Sequence, residues 1–219
     1  MTTLATLRDE VKDILRDGRF TDTIITLKLN EGLYDVAGRT LLPDLETNDT
    51  VETVVSTNRV ALPSDFHRQL SPWVNSTTHN RRIPVYGSLP QLFRRFANLD
   101  QAGVVVGVCR QAGYLYYQRI PSTAETLAIN YFRLPDTMSA DSDVPDGIPD
   151  NLHSRLLSNY ACWQLFTRVE DGIEGEGANT ARYKQNYLDA LGDLTYFIGP
   201  TSDVPTEPVD ELHYGLEVR

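Results

Sequence analysis

Four carboxylates, Glu170, Asp171, Glu174 and Glu176, crowd a glycine-rich turn that ends at Gly177. Two of them placed across a sugar ring would be the acid and base of a glycoside hydrolase. That chemistry needs one acid held protonated by an apolar pocket, and no pocket-forming run flanks the turn, so solvated charge is the plainer reading. The histidines His67, His79, His153 and His213 fall at no metal-ligand spacing, and the chain has no GxxxxGK[ST], HExxH or GxSxG motif. Cys109 and Cys162 form no CxxC pair and read as two small buried hydrophobes. Trp73, Tyr86, Tyr114, Tyr116 and Tyr117 could stack on sugars or bases, although aromatics on strands more often serve a core or a subunit contact. The sequence thus offers no catalytic, cofactor or metal residues, and an enzyme is not the expectation.

Charge is more informative than motif. Residues 1–50 carry 6 Lys/Arg against 10 Asp/Glu, residues 51–135 carry 9 against 4, and residues 136–219 carry 5 against 16. The middle is basic and the end acidic, which fits contacts between copies or a polar passage of one sign. Arg81-Arg82 and Arg94-Arg95 could meet phosphates, but a net charge of -10 argues against a protein that wraps DNA. An acidic passage would instead repel phosphates and let a polymer slide.

The elements that position these groups follow from periodicity. Leu4, Leu7, Val11, Ile14 and Leu15 predict a helix over 3–17, stopped by Gly18. Ile25, Leu29, Leu33 and Val36 predict a second from Thr21 to Gly38, weakened by Gly32 and by the β-branched run 23–26. At the other end, Leu152, Leu156, Tyr160, Trp163 and Val169 predict a helix of about five turns from Asn151 to Asp171. Ala181, Lys184, Tyr187, Leu188, Leu191 and Leu194 predict an antiparallel partner from Asn179 to Leu194.

Between these helices the period changes to two. Val51 to Val55 and Arg59 to Pro63 read as a hairpin turning at Thr57-Asn58, with weaker strands over 69–74 and 81–86. Ser88-Leu-Pro90 reads as the cap of a short helix. Val104–Val108 and Tyr114–Ile120 form a hairpin about Ala112-Gly113, and Thr126–Arg133 adds a strand with Leu127, Ile129 and Tyr131 on one face. The expected fold is α+β: an antiparallel helical bundle from 1–45 and 149–198, an inserted antiparallel β domain over 46–135, an acidic loop over 136–148 and an extended arm over 199–219. No apolar run approaches a membrane span, and the first ten residues lack a signal-peptide layout, so the chain reads as made in the cytoplasm.

This order of parts resembles the head-to-tail adaptor (connector) proteins of tailed bacteriophages. The resemblance is carried by Leu4-x-x-Leu-Arg-Asp-Glu-Val-x-x-Ile-Leu15, Phe20-Thr-Asp22 to Leu29-Asn-Glu-Gly32, and Val60-Ala-Leu-Pro-Ser-Asp-Phe66. Leu127-x-Ile-x-Tyr131, Leu134-Pro135, Ile148-Pro149 before Leu152, Arg182-Tyr183 and Tyr187-x-x-Ala190 complete it. Each is a short apolar or turn pattern rather than a chemical signature. It implies a virion protein at the head–tail junction, assembled as a ring, usually a dodecamer, between the portal and the tail nozzle or tube. Genomic DNA would pass through without specific binding. Residues 199–219 resemble the arm that embraces the portal in such adaptors, with Leu212, Tyr214, Leu216 and Val218 alternating as its contacts, although this arm is short and acidic. In a ring, Arg81, Arg82, Arg94 and Arg95 become subunit-interface residues facing acidic segments of the next copy, and Asp189 and Asp193 become channel-facing acids. The alternative is a carbohydrate-binding or glycan-hydrolase component of the tail.

Overall fold

The structure is a computed structural model that describes residues 2–96, 101–170 and 177–199, without the side chains of 69 and 70. In chain order its elements are α1 (Leu4–Leu15), α2 (Asp22–Arg39), β1 (Glu46–Glu52), β2 (Arg59–Ala61), β3 (Phe66–Leu70), β4 (Trp73–Ser76) and β5 (Arg81–Tyr86). Then follow α3 (Leu89–Arg95), β6 (Gly107–Gln111), β7 (Tyr114–Gln118), β8 (Thr126–Arg133), α4 (Asn159–Glu170) and α5 (Ala178–Ile198). They divide into two compact units: a helical one from the segments before Leu45 and after Leu134, and a β unit over Glu46–Arg133.

In the helical unit, α1 is capped by the Thr3 hydroxyl, which accepts from the Thr6 amide, and buries Leu4, Leu7 and Val11. It stops at Leu15, before the expected Gly18, because Arg16 turns left-handed (φ 49°) and returns its amide to Lys12. The β-branched start of α2 does not prevent a helix, since Ile25, Leu29, Leu33 and Val36 are all fully buried. Gly32 has a packing reason: a Cβ there would lie 2.9 Å from Cδ1 of Tyr160.

The long helix expected from Asn151 is three pieces. A 3₁₀ turn, Asp150–Leu152, runs into a π-helical turn, Ser154–Ser158, and only then into α4. The π turn presents two hydroxyls to one acceptor: Ser154 and Ser158 donate to the two oxygens of Glu10 on α1, at 2.5 and 2.9 Å. Three contacts fix α4 and α5 as antiparallel neighbours: Glu170 with Asn179 and Thr180, Phe166 stacked on Tyr183 at 5.3 Å, and Trp163 stacked on Tyr187 at 6.1 Å. The acidic loop is also tied down. Buried Asn30 donates to the Met138 carbonyl and accepts from its amide, both at 2.9 Å.

The β unit is one sheet ordered β1-β8-β4-β5-β6-β7-β2, with β3 also on β8. It is mixed rather than antiparallel throughout: β5 and β6 run parallel, Val85 opposite Val108. A parallel pair requires a crossover, and α3 supplies it, capped by Ser88 as its sequence predicts. Gly107 opens β6 where a Cβ would meet Tyr86, Leu92 and Phe96 within 3.1 Å.

The hairpin expected between Val51 and Pro63 does not form. β1 pairs with β8 and β2 with β7, at opposite ends of the strand order. The connecting residues are held elsewhere: Thr53 N bonds Glu125 O, Ser56 N bonds Pro121 O, and the Tyr117 hydroxyl accepts from Val54 N. The β6–β7 hairpin does form, although β6 starts at Gly107 rather than Val104. Its turn carries positive φ at Ala112 (48°) and Gly113 (78°), the pattern of a type I′ turn. Leu127, Ile129 and Tyr131 of β8 share the buried face, as their alternation predicts.

Both cysteines are buried and unpaired. Burial raises both thiols, and near Glu10 that of Cys162 is pushed up to about 12. Ellman's reagent at neutral pH is therefore expected to label neither cysteine in the folded protein and both in urea. Prompt labelling of either without denaturant would contradict the packing.

Candidate functional site

Of the turn acids, Asp171, Glu174 and Glu176 lie outside the described residues. Glu170 is spent on structure. Gly177, the cap position of α5, has no side chain to offer, and Glu170 from the end of α4 replaces it. It accepts from Asn179 N (3.2 Å), Thr180 N (3.0 Å) and the Thr180 hydroxyl (2.7 Å). These bonds hold its carboxyl below the ordinary range, the opposite of what a general acid needs.

The histidines sit apart. His153 is fully buried, its Nε2 donating to the Ile148 carbonyl at 2.7 Å, with Nδ1 3.8 Å from Asp150. His79 lies 3.6 Å from buried Glu125. His213 is outside the described residues. No group of three or more His, Cys, Asp or Glu among the described residues is placed to hold a metal.

The strand aromatics share no open stacking face. Tyr117 is core, its hydroxyl donating to the Arg59 carbonyl at 3.1 Å. Tyr114 and Tyr116 point outward from β7, but the Arg59 guanidinium lies over both rings, at 4.7 and 5.9 Å, and donates to the Tyr116 hydroxyl. Half-buried Tyr86 sets its ring edge-on to Phe96, and Trp73 lies across from Pro84.

The clearest concentration of chemistry is the head of the β4–β5 hairpin. Strand alternation sends the paired arginines to opposite faces. Arg81 turns inward with Ile83 and Val85, half-buried, and donates to the Val105 carbonyl. Arg82 is exposed, across from exposed Asn75, and has no ion pair among the described residues. Beneath the hairpin Glu125, 1% exposed, accepts from Val105 N at 2.9 Å and from the Ser76 hydroxyl at 3.4 Å. The Val105 peptide thus stands between Arg81 and Glu125. Asn75, Ser76, Thr77, Asn80, Arg81 and Arg82 line a cleft of about 370 Å³. Arg94 and Arg95 are exposed in the last turn of α3, where the helix dipole favours cations.

The helical unit carries the acidic counterpart. Asp44, Asp136, Asp143 and Asp146 line a cavity of about 530 Å³ with no cation in its wall. Asp143 accepts from Ser139 N and Ala140 N, which lowers its pKa, and Asp146 accepts from Asp136 N. Asp141 pairs with Arg8. On α5, Asp189 is exposed and accepts from Gln185 at 2.7 Å, while Asp193 pairs with Arg155 at 2.6 Å. Leu212, Tyr214, Leu216 and Val218 lie outside the described residues.

The sequence does not flag Glu10, Glu125 or Asp35, the last of which accepts from the Tyr187 hydroxyl at 2.5 Å. Each is a single polar residue whose partner lies far along the chain, so no local pattern could flag it.

A family model described as SU10 adaptor protein matches residues 2–208. No curated protein matches the chain.

Proposed function

Because the chain belongs to the SU10 adaptor protein family, and is therefore a phage adaptor-type structural protein, we propose that it is a head-to-tail adaptor of the virion. In this reading copies form a ring, usually a dodecamer, beneath the portal and join the capsid to the tail nozzle or tube around the DNA channel. The family match over nearly the whole chain carries the proposal. The helical unit, read as an antiparallel bundle, is the scaffold, and the β unit is inserted into it. Exposed Asp189 and Asp193 are its channel-facing acids, and Arg82, Arg94 and Arg95 its subunit contacts, with Arg81 bracing the hairpin that presents Arg82. A surface that repels phosphate lets DNA slide without deep binding minima. No helix among the described residues is long and apolar enough to cross a membrane.

The arm over 199–219, through Leu212, Tyr214, Leu216 and Val218, is the proposed portal contact. Native mass measurement of the protein, alone and mixed with a portal ring, tests both ideas. The expected result is a portal-bound ring for the full chain and loss of portal binding when 199–219 are deleted. A monomer in both mixtures would overturn the adaptor reading, and intact binding by the truncated chain would overturn the role of the arm.

A further inference from the structure

The cleft at the head of the β4–β5 hairpin carries positive charge and no negative charge in its wall. Its wall combines two guanidinium groups with the side chains of Asn75, Ser76, Thr77 and Asn80, and no carboxylate lines it. The nearest carboxylate, Glu125, is buried below and engaged by Val105 N and Ser76. Arg81 is held by the Val105 carbonyl, so its charge stays at the cleft in a fixed position. Arg82 stands exposed at the mouth beside Asn75. A fixed cation, an exposed one and neighbouring amide and hydroxyl groups match a planar carboxylate, which arginine binds through two parallel N–H donors.

The helical unit offers a carboxylate suited to enter it. Of the four acids around the 530 Å³ cavity, Asp143 is occupied by two amides and Asp146 accepts from Asp136 N. Asp44 is exposed and has no hydrogen bond or ion pair among the described residues. We propose that the hairpin-head cleft is a carboxylate-binding subsite and that its ligand is Asp44 of a second copy, with Arg82 entering the acidic cavity of that copy. This rests on the ring reading and names the pair that sets the order of copies within it. In the ring reading this contact is heterologous, a donor face against an acceptor face, and it repeats once per copy around the circle.

Charge exchange in the full-length protein tests the pairing. R82E and D44K are each expected to raise the dissociation constant between copies by about tenfold or more, read by native mass spectrometry and sedimentation, alone and on a portal ring. The variant carrying both should assemble better than either single one, short of wild type because Arg81 stays in the cleft and three acids stay in the cavity. R82Q and D44N, which neutralise without reversing, should weaken assembly less and provide the readout if a reversal fails to fold. Wild-type assembly with single variants that assemble equally well, or a double variant no better than the worse single one, would overturn the subsite alone. A wild type that never assembles would overturn the ring and the subsite together.

Discussion

Glu125→Leu is expected to destabilise the β unit by about 3 kcal/mol, because it removes the acceptor that two buried donors depend on. The carboxylate is 1% exposed, takes the Val105 amide at 2.9 Å and the Ser76 hydroxyl at 3.4 Å, and lies 3.6 Å from His79. Leucine fills a similar volume but leaves the Val105 N–H buried without a partner. A lone buried amide costs roughly 1–3 kcal/mol, and loss of bonds to a charged acceptor adds to it. Glu125→Gln keeps one acceptor oxygen and should cost about 1 kcal/mol. The Val105 carbonyl also holds Arg81, so the leucine variant should loosen the hairpin head before it loosens the remote strands. Urea unfolding gives the magnitude, and hydrogen exchange shows whether protection is lost first near 76–82 and 104–106. A leucine variant within about 0.5 kcal/mol of wild type would remove Glu125 as an organiser of the hairpin head.

Where the sequence misleads, the physical cause is identifiable. Each helix with a continuous apolar period is readable, and so is β8, whose alternation of Leu127, Ile129 and Tyr131 survives in the buried face. β1 is not readable from Glu46, because six of its seven residues are polar and only Val51 is buried. Its pairing with β8 is set by tertiary contact rather than by its own pattern. The false hairpin at Thr57-Asn58 has the same origin: two short β-like runs near a turn signal look like neighbours until the bonds of Thr53 and Ser56 lead the chain elsewhere. The break at Ser154–Ser158 is invisible to periodicity because the serines lie on a helical face, and what rewards the π turn is Glu10, more than 140 residues earlier.

The candidate site was legible in kind and not in geometry. Segmental charge locates a basic β unit and acidic helical segments. Strand alternation alone could have separated Arg81 from Arg82, since Ile83 and Val85 mark the inward face. That Asp193 is paired with Arg155, and that Glu170 caps α5, needed coordinates, because both depend on how two helices pass one another.

The helical unit has its own critical residue in Tyr187, and replacing it with alanine should cost about 3–5 kcal/mol, the range for truncating a large buried aromatic. α5 is 21 residues long yet fully buries only Tyr187, Ala190 and Leu194, so its attachment rests on few side chains. The Tyr187 ring meets Tyr160 edge-on at 5.3 Å and stacks on Trp163 at 6.1 Å, and its hydroxyl donates to Asp35 at 2.5 Å. Tyr187→Phe keeps the rings and loses only that bond. Asp35 retains Arg39 at 2.6 Å, so the expected cost is about 1 kcal/mol. Burial, and then the bond to Asp35, raise the phenol well above its ordinary value of 10.0. A raised folded pKa means that the stabilisation is complete below about pH 10 and is lost as pH climbs from there toward the folded value. Tyr131 is raised in the same direction by burial and Asp65, so the phenylalanine variant should show a shallower alkaline loss than wild type rather than none. Tryptophan emission in a Trp73→Phe background isolates Trp163 and follows the contact through urea unfolding. An alanine variant within about 1 kcal/mol of wild type, or a phenylalanine variant whose stability falls as steeply above pH 10, would show that α5 is held by something other than this stack.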